Sequence, residues 1–411
     1  MNRLFIFPLL SLGLFSLNCS GMPKTEPNLV SKTDTTIAPV ETREANSPQY
    51  KSAFVGQTRT NGVKTTTKYS FKVLTEKLNS PWGLTSLPDG RLLITEKSGN
   101  LRIVKTTGEM SDKITGLPTV DTDGQGGLLG ITLDPAFAQN RMVYWAFSEP
   151  VSGGNHTSVA KGRLSDDERK IENAVVIYRA TPAHKGNLHY GGRVLFDKNG
   201  YLFVSTGERS DRSTRPQAQQ LNSGLGKIIR ITTDGKPAPG NALASTGGAR
   251  PELYSYGHRN VQGLTINPVD GELWSNEFGP RGGDEINHVI PGKNYGWPTI
   301  TYGIEYGGGK VGDGIQQKEG LEQPVYYWDP SVSPSGMTFY SGSQIPEWQN
   351  NLFVGCLSGM HINRLVIKEN KVIGEERLLT EEYQRFRDVH QGKDGSLYAI
   401  TDQGRLYKIG K

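Results

Sequence analysis

The sequence predicts an all-β chain closed into a six-bladed β-propeller, and three observations lead there. A turn pair followed by an apolar, alternating strand recurs six times. Long helical periodicity is scarce. The composition favours tight turns and short strands, with 51 Gly, 23 Pro, 17 Tyr and 6 Trp among 411 residues.

The first phrase begins at Asp89-Gly90, which introduces RLLITEKSGNLRIV. Asn140-Arg141 introduces MVYWAFSE, Asn199-Gly200 introduces YLFVSTGE, and Asp270-Gly271 introduces ELWSNEFG. Asn350-Asn351 stands before LFVGCLSG, with HINRLVI next, and Asp394-Gly395 before SLYAITDQGRLYKI. Asn-Gly and Asp-Gly make hairpin turns because both residues reach positive φ cheaply. Alternation of Leu, Val and Ile with polar residues marks half-buried strands. The uneven spacing, roughly 45 to 80 residues, fits blades joined by loops of variable length. A β-sandwich would not need the repeat, and an α/β barrel would need more helix. Residues 69–74 are expected to complete the last blade and close the ring.

Ahead of the repeat, Arg3 precedes an apolar run over residues 4–17 and then Asn18-Cys19-Ser20. The run is short for a bilayer span and reads as the core of a secretory signal over residues 1–19. Cys19 resembles the lipidated cysteine of a bacterial lipoprotein, although Ser16-Leu17-Asn18 departs from the usual small residue before it. Ordinary secretion and an uncleaved anchor stay open beside lipidation. The expected location is extracytoplasmic, periplasmic or as a membrane-anchored lipoprotein, with membrane contact only through the lipid. Residues 20–66, rich in Ser, Thr, Pro, Lys and Glu, are expected to be a disordered tether. The propeller should then occupy residues 67–411. With Cys19 in the leader, Cys356 has no disulfide partner, and no Cys/His pattern has zinc spacing. A net charge of +5 without a Lys/Arg run interleaved with aromatics does not point to nucleic acid.

Four clusters carry chemistry. Residues 254–298 hold a basic and amide group (His258, Arg259, Asn260, Gln262), a Gly279-Pro280 turn, the acidic pair Asp284 and Glu285, and a closing NYGWP. Backbone carbonyls at Gly279 and Pro280, with Glu285 and Tyr295, make an all-oxygen set that suits a hard cation, Ca²⁺ before Mg²⁺; a solvated acidic loop is the plainer alternative. GQGGLLG at 124–130 sets Gln125 among glycines that permit close approach of backbone to a ligand, or simply form a β-turn. His189, in NLHYGGR, lies before a strand, and a neutral imidazole there can take a proton from a hydroxyl, with Glu208 placed to orient it. Arg385 and Arg387 stand two apart, so in extended chain both face one side and can grip an anion's carboxylates; a surface pair with Asp388 is the alternative. Together these suit a planar polyanionic cofactor at a propeller axis.

Over nearly the whole chain from residue 68 onward, these residues resemble the soluble PQQ-dependent aldose sugar dehydrogenases, related to soluble glucose dehydrogenase. The resemblance rests on PWGLTSLPDGRLLITEKSGNLRIV, GQGGLLGITLDPAF, GGRVLF, YGHRNVQGL, GPRGGDEINHV with GKNYGWP, and RFRDV, in that order. It implies PQQ in the central channel, His189 as catalytic base and Gln125 near substrate and quinone. It further implies Arg259, Asn260 and Gln262 beneath the cofactor, Tyr306 beside it, and Arg385 and Arg387 at its carboxylates. Gly279 and Pro280 would hold a calcium bridging to PQQ, and Glu285 and Tyr295 a further calcium. The implied reaction oxidises an aldose at its anomeric carbon to a lactone and passes electrons to an external acceptor, a quinone or cytochrome. Two positions depart from the family pattern. Ser358 stands where many relatives have a cofactor-contacting Lys, and Phe278 where they have Gln or His. Two other functions stay open: a non-catalytic cell-surface binding propeller that has lost PQQ, and a calcium-dependent lactone hydrolase.

Overall fold

In the computed structural model, which describes Met1 and residues 37–411, six antiparallel sheets stand in a ring. The first strand, β1 (Ser70–Thr75), belongs to the last blade. Blade 1 is β2 (Pro81–Ser86), β3 (Leu92–Glu96) and β4 (Asn100–Val104). Blade 2 is β5 (Leu128–Leu133), β6 (Met142–Val151), β7 (Gly154–Leu164) and β8 (Ile171–Arg179). Blade 3 is β9 (Gly191–Phe196), β10 (Leu202–Thr206), β11 (Lys227–Ile231) and β12 (Leu253–Tyr256). Blade 4 is β13 (Val261–Ile266), β14 (Leu273–Glu277), β15 (Asp284–Val289) and β16 (Tyr326–Trp328). Blade 5 is β17 (Pro334–Phe339), β18 (Leu352–Cys356), β19 (His361–Lys368) and β20 (Lys371–Leu378). Blade 6 is β21 (Phe386–Gln391), β22 (Leu397–Thr401) and β23 (Leu406–Gly410), with β1 at its outer edge.

Each of the six recurring phrases forms the second strand of a blade, preceded by its turn. One residue of every turn takes positive φ: Gly90, Arg141, Gly200, Gly271, Asn350 and Gly395. The expected closure is present. β1 pairs antiparallel with β23, Ser70 opposite Gly410, which ties the start of the propeller to its end. Innermost strands of neighbouring blades touch all the way round, β21 meeting β2. Apolar clusters fill the space between adjacent sheets. Leu93, Leu101, Trp145 and Phe147 join blades 1 and 2, and Leu92, Ile94, Tyr398 and Ile400 join blades 6 and 1.

The second strands are more buried than alternation suggests. β3, β10, β14, β18 and β22 are buried on both faces, because each sheet has a neighbour on either side. Several of their polar side chains donate to the inner strand of the following blade. Thr95 donates to the Leu129 carbonyl at 2.7 Å, Ser205 to that of Val261 at 3.0 Å, and Asn276 to that of Ser335 at 2.6 Å. The glycines of those inner strands permit the approach: a Cβ on Gly263 would lie 2.5 Å from the Ser335 carbonyl.

Residues 37–66 correct the expected tether. They run as a strap along blades 4 and 5. Gly62 bridges to Glu375, the amides of Asn46 and Ser47 donate to the Asp329 carboxylate at 2.9 and 3.0 Å, and Thr65 donates to Glu376. The segment is held by polar contacts to partners far away in sequence, so it carries no apolar periodicity to betray it. The folded unit starts by Ile37 rather than at residue 67. The signal sequence, Cys19 and the rest of the expected tether lie outside the described residues.

Candidate active site

Loops preceding the inner strands and the residues just after the second strands meet over a cavity of about 400 Å³ at one end of the channel. Its wall includes Gln125, His189, Gln262, Tyr306, Arg385 and Arg387, six of the residues singled out in the sequence. They come from four blades, 2, 3, 4 and 6, and span 262 positions from first to last.

His189 precedes β9 with φ +47°, a conformation uncommon outside glycine and tolerated better by His, Asn and Asp. Three contacts fix it. Its backbone N–H donates to Gln125 Oε1 at 2.8 Å, and its Nδ1 lies 2.6 Å from Glu208 Oε1. Arg209 holds the preceding turn, donating to the Leu188 and Gly186 carbonyls at 3.0 and 2.6 Å while lying over the Tyr190 ring at 3.9 Å. With Nδ1–H given to Glu208, Nε2 is the ring nitrogen left as an acceptor. Burial and the nearby Arg259 charge push the imidazole pKa down to about 4, against the opposing pull of Glu208. The imidazole is therefore neutral near pH 7.

The glycine run is a packed element rather than a free turn. A Cβ on Gly124 would lie 2.6 Å from the Asn187 carbonyl, and one on Gly127 2.5 Å from that of Lys97. Gln125 is thus clasped between the loops of blades 1 and 3. Beneath, Asn260 Oδ1 accepts the Gly191 N–H at 3.0 Å and Gln262 Nε2 donates to the Gly191 carbonyl at 3.1 Å. Arg259 lies deeper, donating to the Gly279 carbonyl at 2.7 Å.

The arginine pair does face one way, but its partner is Asp402. Arg385 Nε and Arg387 Nε each reach its carboxylate at 2.9 Å. Asp388 turns inward instead. Its carboxylate accepts Arg193 Nη1 at 2.7 Å, joining blade 6 to the opposite blade 3 across the channel. Arg193 also stacks over Trp82 at 4.3 Å. Both side chains are buried. On blades 4 and 5, Phe278 and Leu357 add apolar surface, and Ser333 pairs with Ser358 at 2.8 Å, so no cation comes from that side. Tyr306 is 69% exposed, on a glycine turn at the rim.

Comparison with known proteins decides the family. The family described as Glucose / Sorbosone dehydrogenase matches residues 78–408. The chain belongs to that family. It is 43% identical to the aldose sugar dehydrogenase YliI of Escherichia coli over 343 residues, covering 82% of this chain and 92% of the relative. A crystal structure of a glucose dehydrogenase superposes with a TM-score of 0.80 at 44% identity, covering 83% of this chain and 99% of that one. The PQQ-bound form of an aldose sugar dehydrogenase from Streptomyces coelicolor gives 0.69 at 32% identity, covering 84% and 99%. The family resemblance and the six-bladed fold read from the sequence both stand.

Three of the four metal candidates, Gly279, Glu285 and Tyr295, line one void of about 10 Å³ beside Glu277, and Pro280 is outside its wall. Burial and the Glu277 charge raise the Glu285 carboxyl well above its ordinary range. The Tyr295 hydroxyl is committed, donating to the His288 carbonyl and accepting the Ile290 N–H at 2.8 Å. Asp284 is a brace, accepting the N–H groups of Gly279, Val332 and Ser333. Among the described residues no three His, Cys, Asp or Glu side chains converge as a metal cluster.

Sequence reading missed Trp82, Lys97, Asp402 and Arg209. A signal for two of them existed. Lys97, Phe278, Leu357 and Asp402 each follow directly on the second strand of their blade, and all four line the cavity. Aligning the repeat by its turns would have placed them together.

Proposed function

We propose that this chain is a PQQ-dependent aldose sugar dehydrogenase that oxidises the anomeric carbon of an aldose to a lactone. One observation carries the reading. A single cavity holds an unprotonated, carboxylate-braced His189 on one side and Lys97, Arg385 and Arg387 on the other, against one carboxylate, Asp402. The cationic excess fits a polyanion, and the volume is in the range of small-ligand pockets. Family membership and the PQQ-bound relative support the same choice over a binding propeller or a lactone hydrolase.

Arg385 and Arg387 would hold the cofactor's carboxylates, with Asn260, Gln262 and Arg259 supporting its bed. PQQ, when bound, supplies the carbon that accepts hydride. His189 Nε2 takes the proton from the anomeric hydroxyl, Glu208 keeps the ring in the required tautomer, and Gln125 holds the loop that carries it. Tyr306 at the rim screens the cavity mouth. Electrons then pass to an external quinone or cytochrome. Arg387→Ala is expected to weaken PQQ binding about ten- to a hundredfold while the sugar KM changes little. A sugar KM that rises while PQQ binding holds would move the arginine to the substrate and undo this assignment.

Calcium is the finer part of the proposal. The void beside Glu285 has room for one small ion, and its two carboxylates, Glu277 and Glu285, suit a cation, with Tyr295 able to contribute only its carbonyl. Gly279 and Pro280 fit less well. The Gly279 carbonyl already accepts Arg259, so the pair as arranged does not present two open carbonyls. Among the described residues no helix is long and apolar enough to cross a membrane. We propose an extracytoplasmic protein tethered through Cys19. Fractionation checks this: Cys19→Ser should shift the protein from membranes to the soluble fraction, and an unchanged distribution would leave plain secretion.

A further inference from the structure

We infer that Lys97 is a third cationic anchor for the cofactor, which binds with its carboxylates toward blades 6 and 1 and its other edge toward His189. The inference rests on the PQQ reading above.

The cavity's charges are not spread evenly. Its three cations come from adjacent blades, Arg385 and Arg387 from blade 6 and Lys97 from the β3–β4 hairpin of blade 1. Blades 4 and 5 contribute Phe278, Leu357 and Ser333, none of them charged. Within the cationic group, Asp402 serves both arginines, accepting a guanidinium N–H from each at 2.9 Å. Lys97 has no carboxylate within ion-pair distance among the described residues. Its ammonium makes one hydrogen bond, to the Gly124 carbonyl at 2.9 Å, and so keeps two of its three donors for the cavity.

The arrangement is unfavourable as it stands. Partial burial and the Arg387 charge together pull the Lys97 ammonium below its ordinary pKa, with Asp402 and Asp123 opposing. A fold that sets a half-buried lysine against an arginine loses stability unless an anion enters between them. The backbone around Lys97 is fixed: its carbonyl accepts the Leu128 N–H at 3.1 Å and lies where a Gly127 side chain would be. The lysine is therefore held at the rim of the same cavity as the arginines rather than being a solvated hairpin tip. Its single contact, Gly124, adjoins Gln125, so occupation by an anion also couples to the loop that braces His189.

The test measures binding, not turnover. Protein purified without cofactor is titrated with PQQ, following quenching of tryptophan fluorescence, Trp82 being in the cavity wall. Lys97→Met is expected to raise the PQQ Kd about ten- to a hundredfold, the usual loss for one charge-assisted hydrogen bond. Lys97→Arg is expected to stay within a fewfold of the parent, and without cofactor Lys97→Met should melt no lower than the parent. With PQQ saturating, the sugar KM of Lys97→Met should be unchanged. Equal PQQ affinity in Lys97→Met and parent overturns the inference, as does a variant whose sugar KM rises while PQQ binding holds. A parent protein that takes up no PQQ at all is a different result: it overturns the cofactor reading, and this inference with it.

Discussion

His189→Asn is expected to lower turnover of an aldose by about 10²- to 10⁴-fold, the range for losing a general base, and to leave PQQ binding nearly unchanged. Asparagine is the informative replacement because it tolerates the positive φ at this position and keeps the backbone N–H that donates to Gln125. The change therefore removes the imidazole without freeing the loop. The pH profile should carry the same signature. The base must be unprotonated to act, so activity is lost as pH falls through its pKa. Burial and Arg259 hold that pKa at about 4, so turnover should stay level from neutral pH down to about pH 5 and fall only below that. Retained turnover in His189→Asn would take His189 out of the base role.

Asp388→Ala is expected to destabilise the fold by about 3–5 kcal/mol, the usual cost of leaving one member of a buried ion pair alone. Arg193 and Asp388 are both buried, they join opposite blades, and Asp388 also accepts the backbone N–H of Leu84 at 3.1 Å in blade 1. Three blades therefore lose a common partner. The Arg193 charge would remain in the channel with no counter-ion. Urea unfolding measures the difference, and the double variant Arg193→Met with Asp388→Leu should recover much of the loss by removing both charges. A cost for Asp388→Ala under about 1 kcal/mol would be that of a solvated surface pair, and would mean water reaches the pair.

What the sequence made legible follows from where each interaction lies along the chain. The blades could be counted because each second strand carries its own turn signal, and turn chemistry is local. The closing strand could be assigned because a ring needs its ends joined. Gln125, His189, Gln262, Arg385 and Arg387 were found as residue types unusual for a core. Which carboxylate the arginines use was not legible. Asp388 is their neighbour in sequence, yet the strand turns it inward to Arg193, and Asp402 reaches them from the next turn. The strap over residues 37–66 was hidden for a related reason: its composition is that of a tether, and its hold on Asp329, Glu375 and Glu376 depends on residues some 300 positions away. Long-range polar pairing leaves no periodicity to read.

The most direct test of the account uses protein expressed without PQQ and stripped with a chelator. It is titrated with PQQ in the presence of Ca²⁺, then given an aldose and a reducible dye. The account predicts saturable binding of one PQQ per chain, followed by dye reduction that depends on both cofactor and sugar. Absence of binding at saturating PQQ and Ca²⁺ would contradict it, and would make the cationic cavity a site for some other anion.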